Sequence, residues 1–90
     1  MSIKAQVLAT ATEAVTKDRT ETHGNAMDNF RHTANLWSAY LGVNISAYDV
    51  CQMMVIAKIS RSKMGKKDYA DHYVDRCGYS ALAGDLVNAK

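Results

Sequence analysis

Two cations embedded in an apolar stretch are the residues whose type and spacing best suit binding chemistry. Lys58 interrupts the run VIAKIS, and Arg61 follows three residues later, so both side chains share one face of a helix. A lysine flanked by buried positions must extend its ammonium group to solvent, pair with a carboxylate, or hold an anionic ligand. The planar guanidinium of Arg61 suits phosphate oxygens. The pattern predicts an anion-binding site at Lys58 and Arg61.

Acidic residues downstream leave a purely structural interpretation open. Asp71 and Asp75 are four residues apart and share a helix face, so they could neutralise Lys58 and Arg61 across the intervening turn. Cations in the last turn of a helix also complement its dipole. If a ligand is bound, we expect Asp75 to hold one cation in place or to accept a hydrogen bond from a base amino group.

Aromatic residues beside polar groups could provide stacking surfaces for a nucleobase. Trp37 lies at a seam position that is more often part of a core, whereas Tyr79 directly follows Gly78. A glycine inside a helical stripe indicates the close approach of another helix or of a ligand. Arg19, in a polar loop, could close over a bound phosphate. The predicted ligand-binding residues are Lys58, Arg61, Arg19, Trp37, Tyr79 and Asp75.

The sequence lacks the motifs of common catalytic sites. The three histidines show no HExxH spacing, and no GxSxG, P-loop or GxGxxG motif occurs. Cys51 and Cys77 lie outside any CxxC pattern, so we expect two reduced thiols. The sequence therefore predicts no catalytic residue, no metal site and no cofactor.

Length and composition restrict the class of protein. Ninety residues, 48% hydrophobic and 22% charged, predict a single globular domain over residues 1–90. No apolar run reaches eighteen residues and no signal peptide is recognisable, so we expect a cytoplasmic protein without a membrane partner. A net charge of +2 is too small to indicate binding to a long nucleic acid.

Four amphipathic segments without proline must position these residues, so we predict an all-α, four-helix domain. The predicted helices cover about residues 3–17, 25–41, 46–64 and 69–88. Their predicted N-caps are Ser2, Asn25, Ser46 (in a capping box with Asp49) and Asp68, with Gly42 and Gly65 ending the second and third helices. The predicted inward stripe of the fourth helix is Tyr73, Val74, Cys77, Ala81, Leu82, Leu86 and Val87.

The third predicted helix is apolar on nearly every side between residues 50 and 59, which is typical of a helix buried all round. Three other helices in a chain this short can hardly surround it. We therefore expect one face to meet another subunit in a small homo-oligomer, such as a dimer of dimers. The alternative is that this helix is the central helix of a monomer.

Four motifs extend over about residues 13–83: K-D-R-x3-H-G-x4-N-F, L-W-S-A-Y-L-G, D-V-x2-M-M-x3-K-I-x-R and D-x3-D-x2-G-Y. As a set they resemble a family of small, uncharacterised tailed-phage proteins. Many relatives have a Tyr-Gly pair where this chain has His23 and Gly24, which puts any role for that aromatic ring in doubt here.

The chain also resembles phage anti-CBASS sponge proteins. That resemblance implies a small oligomer that sequesters a cyclic dinucleotide signal in the host cytoplasm without cleaving it. Such a ligand carries two phosphates and two bases, which cations and aromatic rings can bind. Its near two-fold symmetry suits a site between two symmetric subunits.

Two other functions remain open. The chain is similar to the all-α nucleotide pyrophosphohydrolases, which use magnesium, but the E-x-x-E and E-x-x-D acids of those enzymes are missing. Only Asp71 and Asp75 come close, at a different spacing, so we rank this enzyme second. The third possibility is a helical module that binds a host protein through its apolar third helix.

Overall fold

The computed structural model describes residues 2–17 and 25–88, which form four α-helices and no strand. The predicted all-α fold is therefore confirmed, and every predicted helix boundary lies within one residue of the observed one. The predicted polar loop, including Arg19, lies outside the described residues. The helices are α1 (Ile3–Thr16), α2 (Ala26–Leu41), α3 (Ala47–Met64) and α4 (Ala70–Asn88).

The first three helices begin at side chains that satisfy their free backbone N–H groups. Ser2 caps α1, and the Oδ1 of Asn25 accepts a hydrogen bond from the backbone N–H of Asp28 at 3.1 Å. At α3, Ser46 and Asp49 form the predicted capping box, with N···O distances of 3.0 and 2.9 Å. These bonds connect residues three apart, which is why the sequence predicts them correctly.

Two glycines follow the ends of α2 and α3, as predicted. Gly42 has a φ of +73°, a left-handed conformation that favours glycine, and Gly65 follows the last residue of α3. The predicted N-cap of α4 is wrong. This helix begins at Ala70, so Tyr69, rather than Asp68, immediately precedes it.

The helices lie in the spatial order α1, α4, α3, α2, because α4 packs against both α1 and α3, and α2 packs against α3. Between α1 and α4, Gly78 is buried, and a Cβ atom there would lie 3.4 Å from the Cγ1 of Val15. Gly78 thus faces a neighbouring helix, as predicted, but at an ordinary contact distance. The buried hydrophobic residues are mostly small: Val7, Ala11, Ala34, Val50, Cys51, Val74 and Ala83.

Within one chain α3 is not buried on all sides, so the alternative of a fully surrounded central helix is wrong, while contact of its open face with another subunit stays a prediction. Cys51 is fully buried, but Ile56 is 63% exposed, Ile59 43% and Met53 37%. The reason is geometric, since α2 and α4 cover only part of the helix surface. The inward stripe predicted for α4 is also partly wrong, because Val87 is 62% exposed and Ala81 is exposed.

Candidate functional site

Lys58 and Asp75 form an ion pair across the α3–α4 interface. The Nζ of Lys58 lies 2.9 Å from the Oδ2 of Asp75, and the side chains are 17% and 41% exposed, respectively. The carboxylate therefore neutralises a cation that is mostly removed from water. This is the pairing that the structural interpretation of the sequence allowed, and Asp75 holds Lys58 in place. An anion that approached Lys58 would have to compete with Asp75.

Arg61 lies one turn further along α3 and is exposed. It forms no ion pair with an acidic residue in the described part of the chain. Asp71 instead accepts a hydrogen bond from the Tyr69 hydroxyl at 3.0 Å, and this bond, together with the negative charge, raises the pKa of Tyr69. Arg61 can reach an anion, but from an open surface.

The two predicted stacking residues lie on different helices. Tyr79, on α4, is half-buried, with its ring centroid 6.2 Å from that of Phe30 on α2 at an interplanar angle of 59°. Trp37 is half-buried on α2. The Tyr79 ring therefore packs against another aromatic ring, and a stacking role for either residue stays a prediction. Arg19 cannot be placed, because it lies outside the described residues.

A groove of about 480 Å³ lies along one side of the α3–α4 pair. It combines an aromatic ring, a guanidinium group, a hydroxyl and a thiol with one aliphatic side chain. The groove is open to solvent rather than an enclosed cavity. The lining residues are Val55, Tyr73, Arg76, Cys77 and Ser80.

Tyr73 and Arg76 form the polar and aromatic part of this groove, and both are held in position. The Tyr73 hydroxyl donates a hydrogen bond to the carbonyl oxygen of Lys67 at 2.7 Å. The guanidinium carbon of Arg76 lies 5.6 Å from the Tyr73 ring centroid, within the range of a cation–π contact. Arg76 makes no ion pair with an acidic residue that the structure describes, so its charge is available to an anion.

Sequence reasoning missed this groove as a site. Helical periodicity predicts an inward position for Tyr73 and Cys77, and Tyr73 is also among the aromatic residues that could stack on a base, but nothing in the sequence singles out Arg76 or Ser80. The spacing of residues 73, 76, 77 and 80 is nonetheless the i, i+3, i+4, i+7 pattern of one helix face. That pattern could have indicated a shared surface, although only the position of α3 makes this surface a groove.

Neither a metal cluster nor a disulfide occurs in the described part of the chain. No group of three or more His, Cys, Asp or Glu side chains there could hold a metal ion. Both cysteines are free, as predicted, and burial raises the pKa of the Cys51 thiol. None of the described helices has the length and apolar character needed to cross a bilayer.

Comparison with known families identifies the group of proteins to which this sequence is related. Residues 6–87 match a family described as a domain of unknown function, DUF6378. The chain belongs to this family. The predicted relationship to an uncharacterised family is therefore confirmed, and the family description indicates no activity.

Two phage proteins are similar over most of the chain. The Gene 55 protein of Mycobacterium phage L5 is 36% identical over 77 residues, which are 84% of this chain and 49% of that protein. The Gene 55 protein of Mycobacterium phage D29 is 34% identical over 74 residues, 82% of this chain and 48% of that protein. The chain thus spans about half the length of these curated relatives. No solved structure matches the sequence.

Proposed function

We propose that this DUF6378 protein binds and sequesters a small phosphate-bearing nucleotide of the cyclic dinucleotide type in the host cytoplasm, without cleaving it. The groove between α3 and α4 carries the proposal, because it combines the Tyr73 ring, the Arg76 guanidinium and the Ser80 hydroxyl. A ring can stack on a base, and a guanidinium can bind two phosphate oxygens at once. The hydroxyl can donate to a further phosphate or ribose oxygen.

The proposal moves the predicted phosphate contact from Lys58 to Arg76. Lys58 is already paired with Asp75, so recruiting it would cost the energy of an ion pair that is largely shielded from water. Arg76 requires no such exchange, since its guanidinium lies over a neutral ring. Arg61 remains a secondary contact for the second phosphate, because it is exposed on the same pair of helices.

Binding without cleavage is favoured by the chemistry of the groove lining. None of the five lining residues is a carboxylate or a histidine. The lining therefore provides neither a carboxylate or imidazole general base to activate water nor acidic oxygens to bind magnesium. A sequestering protein needs neither of these groups.

Replacing Arg76 by glutamine tests the proposal. We expect Arg76→Gln to weaken binding of a cyclic dinucleotide at least about tenfold, because a charge-assisted phosphate contact contributes about 1.5–3 kcal/mol. Arg31→Gln, which changes an exposed arginine on α2, is the matched control and should bind the nucleotide like the wild type. Isothermal titration with cyclic and linear nucleotides measures both affinities.

The ligand recovered after heat denaturation distinguishes sequestration from catalysis. We expect chromatography to return the nucleotide intact, with or without magnesium. A cleaved product that forms only with magnesium would favour the pyrophosphohydrolase. Loss of affinity in Arg61→Gln but not in Arg76→Gln would contradict a site at Arg76 and favour the residues predicted from the sequence.

A further inference from the structure

We propose that the turn between α3 and α4 binds a short single strand of nucleic acid, DNA or RNA. We call residues 61–67 the basic turn, because they include four cations and no carboxylate. Its cations are Arg61, Lys63, Lys66 and Lys67, and all four residues are exposed. The proposal goes beyond the nucleotide groove and does not depend on it.

The positive charge of the chain is concentrated around the basic turn. Residues 58–76 carry six cations and three carboxylates, whereas the rest of the chain carries five cations and six carboxylates. Of the three carboxylates, Asp75 is paired with Lys58, and Asp71 accepts the hydrogen bond from Tyr69. The net charge of +2 for the whole chain therefore conceals a local charge of +3, which can attract a polyanion.

The helix dipole accounts for only some of these cations. Arg61 and Lys63 lie in the last turn of α3, where a positive charge complements the negative end of the dipole. Lys66 and Lys67 lie beyond the end of that helix, and neither forms an ion pair with an acidic residue in the part of the chain that the structure describes. These two ammonium groups are therefore available to phosphates from outside the chain.

Aromatic rings continue from the basic turn along the beginning of α4. We call Tyr69, His72 and Tyr73 the aromatic row. The ring centroids of Tyr69 and His72 lie 5.2 Å apart and those of His72 and Tyr73 lie 6.5 Å apart, both in edge-to-face geometry. The guanidinium carbon of Arg76, 5.6 Å from the Tyr73 ring centroid, extends the row by one cation. Tyr69 is 53% exposed and Tyr73 36%, so both rings present surface on which an unpaired base can stack.

Two hydrogen bonds hold the basic turn beside the aromatic row. The Tyr73 hydroxyl donates to the carbonyl oxygen of Lys67 at 2.7 Å, and the backbone N–H of Tyr69 donates to the carbonyl oxygen of Lys66 at 3.2 Å. The side chains that would bind phosphates and those that would stack on bases are thus carried by one ordered stretch of backbone. This order reduces the conformational entropy that is lost on binding.

Exposed rings beside cations favour a single strand over a membrane surface or a duplex. Anionic lipids would also be attracted to the basic turn, but stable association with a bilayer needs buried apolar area as well. Met64 is the one large apolar side chain among residues 61–68. In a duplex the bases are stacked on one another, so their faces cannot reach the aromatic row.

The salt dependence of binding to an oligothymidylate of about ten nucleotides tests the basic turn. When Lys66→Gln and Lys67→Gln are combined, we expect the slope of log affinity against log salt concentration to fall by about 1.4 in magnitude, because each contact with a phosphate of a single strand contributes about 0.7. The charge-matched control combines Lys4→Gln with Arg31→Gln, at exposed positions of α1 and α2, and should keep the wild-type slope. Fluorescence anisotropy measures these affinities.

Replacing the Tyr69 ring tests the aromatic row. We expect Tyr69→Leu to weaken binding of the oligothymidylate about fivefold or more, the lower end of what the stacking of one base contributes. Tyr40→Leu is the matched control, since Tyr40 is 89% exposed on α2 and its variant should bind like the wild type. Far-UV circular dichroism shows whether each variant remains helical, and if Tyr69→Leu unfolds, the double lysine variant decides.

Several outcomes would overturn the proposal. They are the absence of wild-type binding, an equal fall in slope in the control double variant, equal affinity for a duplex of the same length, and binding to vesicles of anionic lipid but not to the oligonucleotide. Tighter binding of oligothymidylate or of oligouridylate identifies the strand as DNA or RNA. Binding of an oligonucleotide without binding of a cyclic dinucleotide leaves this inference standing and removes only the proposed function.

Discussion

At the scale of single residues, the Lys58–Asp75 pair bears on the interpretation of a lysine within an apolar run. A lysine within an apolar run needs either a ligand or a carboxylate, and Asp75 supplies the carboxylate at 2.9 Å. The pair joins α3 to α4 at a position where Lys58 is largely shielded from water. Its removal should therefore affect stability more than the loss of an exposed pair.

The Asp75→Asn variant tests whether this pair stabilises the protein more than an exposed pair does. The substitution leaves the Lys58 ammonium, in a side chain that is 17% exposed, without a counterion. We expect a loss of about 1–2 kcal/mol in the free energy of unfolding, between the values typical of exposed and of buried pairs. Arg31→Gln breaks an exposed pair with Asp28 and should cost less than about 0.5 kcal/mol.

Urea denaturation measures both values. The double variant Lys58→Met with Asp75→Asn should recover much of the lost stability, since no unpaired charge remains. Equal losses in Asp75→Asn and Arg31→Gln would contradict a stabilising role for the pair.

The capping box of α3 predicts that the stability of the protein depends on the ionisation of Asp49. The pKa of Asp49 is held below its ordinary value of 3.8 by the hydrogen bond from the Ser46 backbone N–H, and further by the Ser46 side chain. A carboxyl whose folded pKa is lowered contributes stability above its unfolded pKa. That contribution is lost as the pH falls through the lower, folded value.

We therefore expect Asp49→Asn to destabilise the protein at neutral pH but to have a smaller effect at about pH 3. Unfolding curves at the two pH values measure this change, and Asp85→Asn, an exposed residue on α4, is the control. An equally large effect of Asp49→Asn at both pH values would mean that the charge of Asp49 does not stabilise α3.

At the scale of helices, Gly78 and Gly42 should respond in opposite ways to substitution by alanine. Gly78 lies inside α4, where the closest atom to an added Cβ is the Cγ1 of Val15 at 3.4 Å, an ordinary contact distance. Gly42 follows the last residue of α2 with a φ of +73°, a backbone conformation that costs free energy in residues other than glycine. Helix propensity therefore favours alanine at position 78, whereas backbone conformation opposes it at position 42.

Gly78→Ala should raise the free energy of unfolding by up to about 1 kcal/mol, because alanine favours a helix and its methyl group fits against Val15. Gly42→Ala should lower it by about 1–2 kcal/mol. Thermal denaturation compares the two variants, with Gly84→Ala as a control, since its added methyl group meets no atom within 4 Å. Destabilisation by Gly78→Ala but not by Gly84→Ala would show that α1 and α4 cannot accommodate the methyl group.

At the scale of the whole molecule, the arrangement of helices determines which surface of the α3–α4 pair is open to solvent. The order α1, α4, α3, α2 leaves one side of the α3–α4 pair uncovered by the described helices. The groove lies along this pair of helices, and four of its five lining residues belong to α4.

The sequence by itself determined the helices and their limits. Asn25 with Asp28, Ser46 with Asp49, and Gly42 all act within a few residues of their own position, so their effects are visible in the linear chain. The all-α fold and the position of Gly78 against a neighbouring helix followed from the same local patterns. Membership of an uncharacterised phage family also followed from the sequence.

Only the tertiary structure shows which carboxylate pairs with Lys58 and which side of α4 is open. The pairing of Lys58 with Asp75 depends on how α3 and α4 are oriented, as does the groove that contains Tyr73 and Arg76. Helical periodicity shows which residues share a face but not what that face meets. That depends on contacts between residues distant in the chain, and these arise only when the helices pack together.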